Sequence, residues 1–138
     1  MSESLRFRPR QRLCRQRDFD RVFGQRCSVA DGLLVVYLAA NGLEWSRLGI
    51  KAGRSLGGAV VRNRIKRRIR EAFRTRQHDL PIGLDVICIP RPGATAQAST
   101  DKFARSLEAL IARARKKLGA KRGGTNGIFL PRTKPRQR

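Results

Sequence analysis

A single α+β domain with one sheet of about four strands is what this sequence predicts, and three observations carry the prediction. Two apolar runs, Leu33 to Ala40 and Leu84 to Ile89, have the length and β-branched content of buried strands. Two longer stretches repeat apolar residues at helical spacing: Val61, Ile65, Ile69, Ala72 and Phe73, then Phe103, Leu107, Leu110, Ile111, Ala114 and Leu118. The order of elements is helix, two or three strands, helix, strand, helix, which suits helices packed on an open sheet. A chain of 138 residues has room for one such domain and its tails.

Residues 1–12 alternate Arg with Phe, Pro and Gln and read as a flexible basic arm. Asp18 is placed to cap a short helix carrying Phe19, Val22 and Phe23, with Gly24 as its stop. Two Phe on one short helix suit a core. Residues 27–32 read as a connection with room for a short strand. In the strand that follows, Leu33, Val35, Tyr37 and Ala39 take one face and Leu34, Val36 and Leu38 the other. Asn41-Gly42 opens a turn and then a loop carrying Trp45, to which no role is assigned. The run from Arg47 to Ala52 fits an antiparallel return strand. Residues 53–58 are a glycine-rich loop without the Gly-Lys-Ser/Thr of a P-loop, although a glycine turn at a helix start offers N–H groups to a phosphate.

The helix from about Ala59 to Arg76 is expected to cross between parallel strands, right-handed by the general rule. Pro90 and Pro92 end the last strand, Ser99 or Thr100 caps the last helix, and Gly119 closes it. The domain is therefore expected over 13–118. Residues 119–138 hold four Gly, two Pro and six basic residues with no acid, and read as a disordered basic tail.

Charge decides the class of partner. The net charge is +22, from 32 basic and 10 acidic residues, which calls for a polyanion. The charge concentrates in the stretch from Gly57 to Arg76, with eight Arg or Lys and one acid, Glu71. Opposite its apolar stripe lie Arg62, Asn63, Arg64, Lys66, Arg67, Arg70 and Arg74. Solvated helices mix signs because like charges at i,i+4 repel, so this ridge is read as a nucleic-acid surface. Asn63 can both donate and accept, so it suits a base edge or sugar hydroxyl, or a helix cap.

Other classes fall away. No apolar run approaches the roughly 20 residues of a spanning helix. The start, M-S-E-S-L-R-F-R-P-R, lacks a secretory apolar stretch. Cytoplasmic residence without a membrane partner is expected. The three cysteines form no C-x-x-C pair and His78 is the sole histidine, so no zinc site is expected and Cys88 reads as a small core residue. Asp18 and Asp20, the one close carboxylate pair, face different sides of a helix, so a stand-alone metal-dependent nuclease is disfavoured. No zinc-finger spacing or heptad points to DNA. RNA, with Phe19, Phe23 and Tyr37 as a stacking platform beside positive charge, fits better. A structural ribosomal protein with no part in cleavage is the alternative.

The run G-G-A-V-V-R-N-R-I-K-R-R-I-R-E-A-F-R resembles the signature of bacterial ribonuclease P protein subunits. R-D-F-D-R-V-F, L-V-V-Y, R-L-G-I and D-V-I-C-I match in order around it, so the resemblance spans Arg12 to Leu118. It implies an αβββαβα fold like the second domain of ribosomal protein S5, with a left-handed crossover around the basic helix. It also implies a subunit of an endoribonuclease whose RNA holds the catalytic Mg²⁺ and removes the 5′ leader of precursor tRNA. One protein per RNA would assist, itself non-catalytic and binding no cofactor. Position by position, Arg62, Asn63, Arg64, Lys66, Arg67 and Arg70 would face the catalytic RNA. Phe19, Phe23, Tyr37 and Arg54 would line a cleft for the leader, against the core reading of the two Phe. The family often has Ser-Val-Ser-Lys-Lys where this chain has Lys51-Ala52-Gly53-Arg54-Ser55, and Arg68 falls where Leu is common.

Overall fold

The computed structural model of the chain describes residues 7–121; the first six residues of the expected arm and residues 122–138 of the expected tail lie outside them. The elements are α1 (Gln16–Gly24), β1 (Ser28–Ala30), β2 (Leu34–Ala40), β3 (Arg47–Ile50), α2 (Ala59–Arg76), β4 (Leu84–Pro90) and α3 (Thr100–Lys121). The α+β class, the three helices and the four-stranded sheet are as the sequence predicts. The strand order is β1-β2-β4-β3, with β1 and β4 antiparallel to β2.

One strand differs from expectation. β3 is not an antiparallel return beside β2 but runs parallel to β4, from Arg47 opposite Asp85 to Ile50 opposite Cys88. The edges of β2 are taken by β1 and β4, so the chain after Ala40 is carried to the far side of β4. A parallel pair needs a crossover, and α2 supplies it, as expected of the strand–basic helix–strand unit.

The sheet has a thick and a thin side. Leu34, Val36, Leu38, Leu48, Leu84, Val86 and Cys88 pack beneath α2 and α3. The helices answer with Ile65, Ile69, Ala72 and Phe73, and with Phe103, Leu107, Leu110, Ile111, Ala114 and Leu118, all buried. Each fully buried aliphatic or aromatic side chain contributes roughly 1.5–3 kcal/mol. Leu33 joins this cluster rather than the Val35–Tyr37–Ala39 face. It precedes the strand, in a turn where the Asp31 carboxylate accepts from Leu33 N at 2.8 Å and Leu34 N at 2.9 Å. Cys88 is a core residue as expected, and burial pushes its thiol up to about 12, which keeps it protonated and unreactive.

On the thin side α1 buries Phe19 and Val22 against Leu13, Ala39 and Ile87. Asp18 is not its cap: the helix begins at Gln16 with Arg15 at the capping position, and Asp18 lies in the first turn. Ser99, of the two candidates, caps α3 by accepting from Lys102 N at 3.1 Å. α3 continues through Gly119 to Lys121.

The described part of the expected arm, residues 7–12, is built onto the domain. Pro9–Gln11 form a 3-10 turn and Arg12 pairs in parallel with Leu48 on the outer edge of β3. Phe7 meets Phe73 edge-on at 5.8 Å, and Trp45 Nε1 donates to Arg10 O at 3.1 Å. The open ladder groups of an edge strand give this segment its pairing partner.

Gly49 on β3 leaves the space that the Phe19 ring of α1 fills. A Cβ there would lie 2.7 Å from Phe19 Cζ and 3.1 Å from Leu13 Cβ. Gly49→Ala is therefore expected to destabilise the domain by about 1–3 kcal/mol through overpacking. A urea midpoint equal to or above that of the unmodified chain would count against this packing.

Candidate nucleic-acid interface

α2 combines a buried stripe with a cationic outer surface, and the fold separates its basic residues into two sets. Three are used within the protein. Arg74 pairs with Glu71, Nε to Oε1 at 3.0 Å, and this ion pair holds the Glu71 carboxyl below its ordinary range. Arg76 reaches α3, 3.4 Å from Asp101 and 3.6 Å from Glu108. Arg68 donates from its guanidinium to Ala98 O at 2.9 Å.

The remaining five are Arg62, Arg64, Lys66, Arg67 and Arg70. Among the described residues no carboxylate oxygen lies within salt-bridge distance of any of them. They are the five cations that the resemblance places against RNA; Arg74, the sixth cation of the ridge, is instead paired with Glu71. Arg67 and Asn63 are exposed and the others half-buried. Asn63 is the fifth residue of α2, whose capping position is Gly58, so the capping alternative for Asn63 does not hold. Arg62 Nε is buried without a hydrogen-bond partner. Burial, and then the guanidinium of Arg12 in the N-terminal segment, lower the pKa of Arg70. Arg64, Arg67, Arg68, Glu71 and Thr100 line a hollow of about 380 Å³ on one flank of the ridge.

Phe19, Phe23 and Tyr37 do come together on the thin side of the sheet. Phe23 stands edge-on to Tyr37 with centroids 4.7 Å apart, and Phe19 lies 6.3 Å from Phe23. They are not equivalent. Phe19 is buried, with 8% of its surface exposed, while Phe23 and Tyr37 are half-open. Beyond them Val35 and Ile89, opposite each other in the register, are also half-buried. α1 thus covers only part of this face and leaves an apolar strip beside it. The cation over the cluster is Lys51, whose Nζ is 5.5 Å from the Phe19 ring centre. Arg54 is exposed on the 3-10 turn Arg54–Leu56 leading to α2, and no ring contact joins it to the three aromatics among the described residues.

A buried carboxylate escaped the reading of the sequence. Asp85 is fully buried on β4. It accepts from Arg47 Nε at 2.8 Å and Nη2 at 2.7 Å, from Asn41 Nδ2 at 2.9 Å, and from the Arg21 guanidinium. An acid inside the apolar run L-D-V-I-C-I is the signal that could have found it, since a buried charge demands partners. Asp20 accepts from Gln16 Nε2 at 2.8 Å while Asp18 faces Arg47, so the two acids diverge. Among the described residues no three His, Cys, Asp or Glu side chains gather as metal ligands, and no helix is long and apolar enough to cross a membrane.

The chain is similar to known proteins over most of its length. The family model for Ribonuclease P matches residues 7–115. The ribonuclease P protein component of Thermotoga maritima is 43% identical over 91 residues, which are 66% of this chain and 76% of that protein. That of Brevibacillus brevis is 43% identical over 86 residues, 62% of this chain and 68% of that one. The solved ribonuclease P protein of T. maritima superposes with a TM-score of 0.68 at 34% identity, covering 74% of this chain and 96% of that one. The Staphylococcus aureus protein gives 0.66 at 35% identity, covering 76% and 95%.

Proposed function

The chain belongs to the ribonuclease P protein family, and from that premise we propose how it divides its surface between two RNAs. It is a protein component of the ribonuclease P endoribonuclease, which places it in tRNA processing as part of a ribonucleoprotein. In our reading Arg62, Asn63, Arg64, Lys66, Arg67 and Arg70 dock on the RNA subunit, one protein per RNA. Phe23, Tyr37 and the apolar strip beside them take the 5′ leader of precursor tRNA, with Phe19 as their buried support and Lys51 and Arg54 supplying positive charge to the leader backbone. The cytoplasm is where such a partner RNA would be met.

The observation that carries this is the set on α2 of five cations and an amide with no carboxylate within salt-bridge distance among the described residues. Cations placed between two polyanions reduce their mutual repulsion, a task otherwise left to Mg²⁺. The Mg²⁺ ions of cleavage are assigned to the RNA, and the protein's residues bind and orient. Reconstitution tests this. The purified chain, mixed with a ribonuclease P RNA, is expected to bring 5′-leader removal to Mg²⁺ concentrations at which the RNA alone is slow. Equal rates with and without the chain, or cleavage by the chain without RNA, would contradict it.

A further inference from the structure

Four charged side chains from three elements form a line of alternating sign behind α1. Asp18 lies 3.8 Å from Arg47 Nη1, Arg47 grips Asp85 with two donors, and Asp85 accepts from Arg21. Arg21 also donates to Ala40 O at 3.0 Å. Asp18 and Arg21 are three positions apart and share one flank of α1. Phe19 and Phe23 share the other, and Val22, fully buried, lies between the two flanks.

α1 has nine residues and no side-chain cap, so it is too short to hold itself and takes its place from what it touches. The apolar contacts of Phe19 and Val22 keep it on the sheet but leave it a way to roll about Val22. Charged pairs are directional where apolar contacts are not. A buried ion network adds little net stability over apolar packing, and fixing geometry is its better-attested role.

We propose that the Asp18–Arg47–Asp85–Arg21 chain positions α1 for leader binding, holding Phe23 against Tyr37 with Phe19 behind it, without its acids touching RNA. The proposal rests on the reading of that cluster as the leader site. It makes an unusual demand on sign. Removing an acid beside a polyanion strengthens binding if electrostatics alone decides. Removing Asp18 or Asp85 weakens leader binding if they position α1.

The test uses the chain assembled with ribonuclease P RNA and compares affinity for precursor tRNA with that for the same tRNA lacking its leader. In Asp85→Asn the affinity ratio is expected to fall about tenfold, and in Asp18→Asn severalfold, with affinity for leaderless tRNA unchanged. Asp18→Glu, which keeps the carboxylate, is expected to retain most of the ratio. A ratio that is unchanged or raised in Asp18→Asn overturns the proposal. Asp18 lies at the partly exposed end of the chain, so it carries the test if Asp85→Asn does not fold. Phe23→Ala separates the two layers. If it lowers the ratio while Asp18→Asn does not, the positioning role is wrong and the cleft stands. If it leaves the ratio unchanged, the cleft reading fails and the proposal with it.

Discussion

Arg64→Ala combined with Arg67→Ala is expected to weaken docking on ribonuclease P RNA by about a hundredfold at low salt. That magnitude allows about tenfold for each charged hydrogen bond removed. Both residues lie on α2, and neither has a carboxylate within salt-bridge distance among the described residues. Their removal therefore takes away charge offered to a partner and no ion pair inside the protein. The salt dependence gives an independent reading. Every phosphate that is no longer neutralised should make the slope of log affinity against log salt shallower by about 0.7–0.9. Arg76→Ala is the contrast. Arg76 is tied to Asp101 and Glu108 on α3, so its removal should loosen the packing of α2 on α3 and leave the salt slope alone. Filter binding or fluorescence titration across a salt series checks both. An unchanged slope in the double variant would mean that these arginines do not meet phosphate.

Asp85→Ala is expected to cost the domain about 3–5 kcal/mol, because it strands the largely enclosed cation of Arg47. The pair is not a surface one: Asp85 is fully buried, and the Arg47 side chain is only 21% exposed. For a domain with a total stability of roughly 5–15 kcal/mol, this is a large share. The thermal midpoint should fall by about 10–20 °C. A fall of a degree or two would show that water takes over the role of the carboxylate. Replacing Asp85 removes three anchors together, since Asn41, on the turn after β2, donates to it as well as the two arginines.

Most of the elements were legible in the sequence. The stripes of α2 and α3 turn inward as their spacing demands, and β4 ends at Pro90 as its prolines require. The ridge was legible too, because six cations on one helix surface are a property of neighbouring positions. The aromatic cluster was only half legible. Phe19 and Phe23 share one helix and were read as alike, but Gly49 lets Phe19 sink against β3 while Phe23 stays beside Tyr37. Nothing near residue 19 in the chain announces a glycine at 49. Lys51, not Arg54, stands over the ring, a difference set by where β3 ends.

Periodicity and charge act over three or four residues, so the amino-acid order alone marked which side chains turn inward and where the positive surface lies. Pairing over long separations belongs to the assembled fold. Asp85 meets Arg47 across 38 positions and Arg21 across 64, and β3 lies beside β4 only because α2 carries the chain over the sheet. Which cations of α2 find a carboxylate inside the protein was decided in the same way: among the described residues Asp101 and Glu108 of α3 come within reach of Arg76 and not of Arg64 or Arg67. A burial pattern says that a face must be covered. The element that covers it is chosen by the packing of all the faces at once.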